Sequence, residues 1–174
     1  MLFRSDSWKF YWKDLKGEKH LRYVPNTDHS MRNSDAYESL IAFYDSMLKG
    51  KARPRYDWSV KKDGTIEVTT KDAPTSVKLW QATNPDARDF RMETLGPKYT
   101  STDVKAVKPG KYVAKADKPA KGFTAYFVEM TFPSGGKFPL KFTTGVVVTP
   151  DEYPFAAPIK GQTKLGARPQ RRPQ

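Results

Sequence analysis

One of the two histidines of this chain lies in a segment that suits acid–base chemistry. His29 falls in residues 22–30, Arg-Tyr-Val-Pro-Asn-Thr-Asp-His-Ser, between a predicted strand and a predicted helix. Imidazole is the side chain whose protonation changes near neutral pH, so a histidine in such a loop can act as a general base. A general base needs a nucleophile to deprotonate. His29 is therefore the candidate catalytic residue whose partners must be sought.

The polar residues near His29 do not complete a catalytic set. Asp28 is its direct neighbour in an extended loop, so its side chain should point elsewhere and form an Asx turn or a cap. Ser30 and Ser34 lie beside a helix start and outside any Gly-x-Ser-x-Gly turn. Asp6 is better placed as a helix N-cap. The residues alone leave two roles open for His29, a catalytic base or a solvated loop histidine.

The composition argues against a metal or cofactor. His20 and His29 are nine residues apart and the chain has no cysteine, which falls short of metal-ligand spacing and excludes disulfides. Residues 134–137, Ser-Gly-Gly-Lys, join two β-like runs and open no helix, so they predict a hairpin turn and not a phosphate loop. We expect no metal and no cofactor.

The first predicted elements are a helix over residues 5–15 and a short strand over residues 19–24. The helix would start at Ser5 or Asp6 and end before Gly17. The strand would end at Pro25, which cannot donate to a ladder. The helix has an apolar face at i, i+3, i+4, i+7 spacing, formed by Trp8, Tyr11, Trp12 and Leu15.

A second helix is predicted from Ser34 or Asp35 up to Gly50. Glu38 follows Asp35 by three residues, as in a capping box, and Gly50 suits the position after a helix end. Its apolar face comprises Tyr37, Leu40, Ile41, Tyr44, Met47 and Leu48. A helix–strand–helix unit cannot cover such faces alone, so residues 1–50 are predicted to close a larger α/β domain and to self-associate when that domain is incomplete.

Residues 51–55 are predicted to be a linker, and the sequence pattern from there to residue 150 predicts β-strands. Strands are predicted at 56–60, 65–70, 76–83, 90–94, 111–116, 123–132 and 140–149. An Asp-Gly pair between the first two predicts a hairpin. About seven short strands in about 100 residues are typical of an immunoglobulin- or fibronectin-like β-sandwich. The predicted domains are residues 1–50, residues 51–150, and a disordered basic tail at 151–174.

The charge pattern predicts no specific nucleic-acid partner. The net charge of +12 divides into +1 over residues 1–50, +8 over 51–150 and +3 over 151–174. Its lysines are scattered singly, which suits solvated sheet faces and protected edges. The tail cations that could touch phosphates are Lys160, Lys164, Arg168, Arg171 and Arg172. No run approaches the roughly 20 apolar residues of a membrane span, no signal peptide is present, and the compartment is not inferred.

Several long motifs carry a family resemblance that covers residues 3–149. Residues 6–15, Asp-Ser-Trp-Lys-Phe-Tyr-Trp-Lys-Asp-Leu, and residues 17–30 resemble the C-terminal part of the PhoPQ-activated pathogenicity-related protein family. Residues 79–91 and 141–146 are similar to later segments of it. The resemblance implies an α+β chain, namely the C-terminal helix–strand–helix unit of an α/β-hydrolase-like domain followed by the β-sandwich.

The same resemblance implies the catalytic role of His29. The family's histidine falls on His29, whereas its serine and its acid would both precede Met1. The chain is then expected to be inactive alone, although the intact parent would hydrolyse an ester or a peptide. The alternative is a non-catalytic β-sandwich module that binds a glycan or peptide on an aromatic platform. The candidate platform residues are Trp80, Phe90, Tyr126 and Phe127.

Overall fold

The structure is a computed structural model that describes residues 5–154. Two α-helices, α1 (Ala36–Leu48) and α2 (Met92–Leu95), accompany nine β-strands. The strands are β1 (Tyr56–Val60), β2 (Ile66–Thr70), β3 (Ser76–Asn84), β4 (Thr100–Asp103), β5 (Ala106–Lys108), β6 (Lys111–Ala114), β7 (Phe123–Phe132), β8 (Leu140–Thr143) and β9 (Val147–Thr149). The predicted tail cations Lys160, Lys164, Arg168, Arg171 and Arg172 lie outside the described residues.

The strands form two antiparallel sheets. One sheet has the order β1-β2-β6-β5, and the other has the order β4-β3-β7-β8 with β9 pairing the far end of β7. The predicted β1–β2 hairpin is confirmed, with Val60 opposite Ile66 and Gly64 in the left-handed region that its turn requires. The longest pairing joins β3 to β7 in register from Ser76 opposite Thr131 to Asn84 opposite Phe123.

The main apolar core lies between the two sheets. Residues of alternate spacing on β7, including Tyr126 and Met130, pack with Ile66 and Val68 of the other sheet, and all four are fully buried. The opposite face of β7 has its own cluster around Phe127, which Tyr23 helps to cover. Both faces of β7 are covered, and this explains why its sequence is a nearly continuous run of apolar residues.

The predictions for residues 5–24 are wrong in their secondary structure. The predicted helix over 5–15 is a single 3-10 turn, Ser7–Phe10, followed by further turns. The predicted strand over 19–24 is one isolated bridge between Leu21 and Thr143. The segment instead follows the surface of the β7–β8 sheet, where its side chains find partners far along the chain. Those tertiary contacts override the helical spacing.

The helix α1 is confirmed, but its apolar side faces away from the protein. The buried residues of α1 are the small ones, Ser39, Ala42 and Ser46, and the helix packs against β8. The large apolar residues predicted as the core-facing side are exposed: Tyr37, Leu40, Ile41, Tyr44, Met47 and Leu48. We name these six residues the outer face of α1.

The α/β-hydrolase-like fold class is therefore corrected. Within residues 5–154 the chain is mainly antiparallel β, and residues 5–50 contribute one α-helix, one 3-10 turn and one isolated bridge instead of a helix–strand–helix unit. The immunoglobulin- or fibronectin-like topology stays a prediction.

Three further differences concern the β region. The predicted strand at 90–94 is instead α2, which is flanked by the positive-φ residue Gly96. The predicted run 140–149 is divided between β8 and β9, and the short strands β4 and β5 were not predicted. In residues 5–154, no helix has the length and apolar character needed to cross a bilayer.

Candidate functional site

The loop that carries His29 is anchored at its start and at its end. Asn26, at φ +54°, receives a hydrogen bond from the Tyr99 amide at 2.9 Å and donates its own side-chain amide to the Tyr99 carbonyl at 2.8 Å. At the other end the Ser34 hydroxyl donates to the Met31 carbonyl at 2.7 Å. The chain between these anchors lies on the surface, which is a suitable place for a group that must meet another molecule.

His29 is exposed and makes no hydrogen bond to any other residue of the 5–154 range. Its neighbours are occupied with each other: Asp28 Oδ1 accepts from the Ser30 amide at 2.8 Å and from the Ser30 hydroxyl at 2.6 Å. These bonds from Ser30 lower the pKa of Asp28. The predicted Asx turn at Asp28 is thus confirmed, and neither Asp28 nor Ser30 is bonded to the His29 ring.

An open apolar groove of about 670 Å³ begins beside this loop. Ser30, Met31 and Arg32 form its edge next to His29. Its walls come from α1 and from residues 20–24, which contain the Leu21 bridge and are named here the bridge segment. Its apolar lining includes Leu21, Val24, Tyr37, Leu40, Phe43 and Phe142. A groove of this size and character is typical of sites for small ligands or apolar peptide segments.

A partly buried ion cluster contributes Arg22 and Lys141 to the lining of the groove. Arg22 donates to Glu129 at 2.7 Å and to Asp35, and Lys141 also bonds Asp35 at 2.5 Å. Burial opposes ionisation of Asp35, but Lys141 and Arg22 outweigh it and lower the pKa of that carboxyl. Asp35 was predicted as a helix cap, yet its side chain makes no cap bond because these two cations hold it.

His20 has the partners that His29 lacks. One ring nitrogen lies 2.8 Å from the Tyr56 hydroxyl and the other lies 2.9 Å from Glu18, while the ring stacks on Phe142 at 4.4 Å between centroids. Burial raises the pKa of Tyr56, so its hydroxyl stays protonated and is not an activated nucleophile. Sequence reasoning missed this trio because Tyr56 is 36 residues from His20.

Asp6 is buried in an ion pair and does not cap the first turn. Arg88 donates to its two oxygens at 3.2 and 2.8 Å, and Lys9 adds a contact at 3.3 Å. Burial alone would raise the pKa of Asp6, but Arg88 and Lys9 together lower it. The predicted cap is wrong because the carboxylate is fully enclosed with Arg88, 82 residues away.

The predicted aromatic platform is absent from the surface of the described sheets. Tyr126, Phe127 and Phe90 are buried core residues, and Trp80 packs against the second core cluster. No group of three or more histidine, cysteine, aspartate or glutamate side chains within residues 5–154 is arranged to hold a metal ion. Of the residues that the sequence predicts for function, His29 is the one that lies exposed beside the groove.

These features define a class: an antiparallel two-sheet β protein whose amino-terminal segment presents a histidine loop beside an apolar groove. The pattern of the PhoPQ-activated pathogenicity-related protein family matches residues 2–91, and the chain belongs to that family.

A curated relative extends the comparison over more of the chain. Autocrine proliferation repressor protein A of Dictyostelium discoideum is 29% identical over an alignment of 182 positions, gaps included, that covers 89% of this chain. The chain spans only 37% of the length of that relative. No solved structure matches this chain.

Proposed function

We propose that this chain is the C-terminal portion of a PhoPQ-activated pathogenicity-related hydrolase and supplies His29 as its general base. The substrate would be an ester or a peptide, and the nucleophile and acid would come from the remainder of a longer protein. The chain alone would then be inactive. This proposal assigns no fold to that remainder.

The observation that supports the proposal most directly is the state of the His29 side chain. It is exposed, it has no hydrogen-bond partner within residues 5–154, and the adjacent Asp28 and Ser30 are bonded to each other. A structural histidine in this protein looks different, because His20 has a partner on each ring nitrogen. A ring left unpaired beside a groove can accept a proton from a nucleophile that another segment brings.

The first experiment tests the chain alone. A serine-directed fluorophosphonate probe should not label the purified 174-residue chain, and hydrolysis of p-nitrophenyl esters should not exceed the buffer rate. Labelling at any serine would contradict the proposal that the nucleophile lies elsewhere.

The second experiment restores the missing portion. We expect esterase activity when the chain is co-expressed with the remaining part of a longer family member, and we expect His29→Ala to reduce that activity by about 10⁴-fold. Asn33→Ala, in the same exposed loop, is the matched control and should keep full activity. A His29→Ala complex that hydrolyses the ester at the control rate would remove His29 from the mechanism.

The groove supports a second candidate function, a binding module. In this case the ligand would lie between α1 and the bridge segment and not on the sheet aromatics, which are buried. An extended apolar peptide fits a groove with these walls better than a glycan does. The charged groups of the groove lining, Arg22 and Lys141, are already paired with carboxylates and are not free to bind sugar hydroxyls. Saturable peptide binding that is lost in Phe43→Ala and kept in His29→Ala would favour this function over hydrolysis.

A further inference from the structure

We propose that the outer face of α1 is a self-association surface that pairs with the same face of a second copy, with the two helices antiparallel. The proposal concerns the outer face defined above and does not depend on the role of His29. It rests on the exposed area of this face, on the positions of its apolar residues along the helix, and on the opposed dipoles of an antiparallel helix pair.

The outer face exposes enough apolar area to form an interface. Tyr37 is 72% exposed, Leu48 70% and Leu40 62%, while Tyr44, Met47 and Ile41 are between 40% and 59% exposed. With ordinary whole-residue areas, polar atoms included, this amounts to about 800 Å² of accessible surface, which is comparable to the contribution of one partner to a standard protein–protein interface.

The exposure follows from which side of α1 packs inward. Ser39, Ala42 and Ser46 face the sheet and let the helix backbone approach β8 closely. The Ser39 and Ser46 hydroxyls donate to carbonyls of the preceding turn, at 2.9 and 2.6 Å, and so are satisfied without water. The helix is therefore amphipathic with its larger apolar side directed outward, so a partner surface and not a rearranged core is needed to cover it.

A twofold rotation about the midpoint of the helix brings apolar residues of the outer face together at its ends and its centre. Tyr37 then lies at the level of Leu48 of the second copy, and Ile41 lies at the level of Tyr44. Leu40 and Met47 fall at the levels of Asp45 and Glu38, so they would pack against the neighbouring apolar residues. A twofold interface uses the same surface on both copies, and α1 is long enough, about 20 Å, to pack along its whole length.

The helix dipoles favour the antiparallel arrangement, because an antiparallel pair opposes them and a parallel pair aligns them. The charged residues of the helix, Glu38 and Asp45, and Lys49 after its end, lie on a flank outside the outer face, where Lys49 pairs with Asp45 of the same chain at 2.7 Å. An interface through the outer face therefore buries no charge of α1.

The extent of the outer face favours a second copy over a small ligand. A small ligand would cover only the groove. Tyr44, Met47 and Leu48 are not part of the groove lining and would stay exposed to solvent. The remainder of a longer family protein could cover the same face, and that occupant predicts a monomer for this chain alone. The oligomeric state of the chain therefore separates the two.

Sedimentation velocity of the full chain over a concentration series provides the first test. We expect a monomer–dimer equilibrium, and we expect Tyr44→Asp or Leu40→Asp to raise the dissociation constant by about 30-fold or more, as for a central interface residue. Val107→Asp is the matched control, because Val107 is 62% exposed on β5, away from α1. A clean monomer at all concentrations, or a dimer that tolerates both outer-face variants, would overturn the proposal.

The absence of native cysteine allows the orientation to be tested directly. Tyr37→Cys and Leu48→Cys are about 17 Å apart along one helix, so a short thiol cross-linker cannot join equivalent positions in an antiparallel pair. We expect cross-linked dimers when the two variants are mixed and little product from either variant alone. Efficient cross-linking of Tyr37→Cys to itself would overturn the antiparallel arrangement.

Discussion

Residues 5–50 and the two sheets are held in the structure by different kinds of interaction. Continuous backbone pairing joins the strands, as in the nine-residue register between β3 and β7, and apolar side chains fill the space between the sheets. The amino-terminal region contributes only one isolated bridge to that pairing, at Leu21. Its position depends on a few side chains that reach into the β region.

Four of these contacts attach the region along its length. The pairs are Asp6 with Arg88, the Trp8 indole with the Val146 carbonyl at 2.8 Å, His20 with Tyr56, and Arg22 with Glu129. Single substitutions should therefore affect the amino-terminal region far more than an equivalent change on a sheet surface. These contacts should also differ in how much they contribute to the free energy of unfolding, because some are buried and others are exposed.

The largest effect is expected for Asp6→Asn. Asp6 is fully buried and Arg88 is 6% exposed, so loss of the carboxylate charge leaves the guanidinium with only the exposed Asp151 carboxylate, 3.7 Å away, as a counter-ion. Removing one partner of a buried ion pair costs about 3–5 kcal/mol of unfolding free energy. Chemical denaturation measures the change.

The control for Asp6→Asn is Asp103→Asn, an exposed aspartate on β4. Its effect should stay within about 0.5 kcal/mol, as is usual for surface positions. Equal stability of the two variants would show that the buried pair does not hold the amino-terminal region.

Low pH should reduce the contribution of the Asp6–Arg88 pair to the free energy of unfolding. Burial opposes ionisation of Asp6, but Arg88 and Lys9 lower its pKa in the folded state below the value of about 3.9 expected in the unfolded chain. The ionised form therefore stabilises the fold above pH 4, and this contribution is lost as the pH falls through the folded pKa. The stability gap between wild type and Asp6→Asn should be constant from pH 7 to 5 and should narrow below pH 4. A gap that widens in acid would contradict this assignment.

A smaller effect is expected where Trp8 meets Gly145. The indole of Trp8 lies so close to Gly145 that a Cβ at this position would overlap the ring. Gly145→Ala should therefore destabilise the protein by about 1–3 kcal/mol through overpacking. Gly136→Ala is the matched control, because the nearest atom to its Cβ is the Ser134 hydroxyl at 3.3 Å.

A double-mutant cycle assigns this effect to the amino-terminal region. In a Trp8→Ala background the indole is absent, so the additional cost of Gly145→Ala should fall nearly to zero. Thermal and chemical unfolding of the four proteins measure the coupling. An unchanged cost in the absence of the Trp8 ring would mean that Gly145 is constrained by the sheet alone.

The same contrast explains which parts of the fold could be predicted from the sequence. The hairpin of β1 and β2 follows from an Asp-Gly turn between alternating residues, and β7 follows from a long apolar run. These signals are local. The spacing of Trp8 and Trp12 is also local and predicts a helix, but Trp8 packs edge-on against Trp58, and Trp12 lies against the same ring. A periodic pattern does not show which distant surface a side chain will meet.

In the candidate site, too, local sequence signals predict some features and distant contacts determine the others. The His29 loop and the Asp28 turn could be predicted because their residues are adjacent in sequence. The groove could not, because Lys141 and Phe142 reach it from β8, and its walls exist only when the small side of α1 faces the sheet. Helical periodicity located the apolar side of α1 correctly and carried no information on whether that side is covered.

The smallest effect is expected at the exposed contact between the two regions, Glu18 with Arg53. Arg53 holds Glu18 through two hydrogen bonds, one of 2.7 Å, and together with a weaker contribution from His20 lowers the pKa of Glu18 to about 2. Glu18 is 48% exposed, so solvent screens the pair and little stability depends on it. Arg53→Gln should therefore leave the unfolding curve almost unchanged while the pKa of Glu18 rises toward its ordinary range.

An NMR titration of the Glu18 side-chain carbonyl carbon separates this result from a change in packing. Arg55→Gln removes a more exposed guanidinium that pairs with Asp72, and it should leave the Glu18 pKa where it was. Salt should reduce the difference between Arg53→Gln and wild type, because an exposed pair is screened over about 10 Å at 0.1 M ionic strength. If Arg53→Gln instead destabilises the protein as much as Asp6→Asn, burial does not distinguish the contacts of the amino-terminal region, and the contrast between its buried and exposed pairs fails.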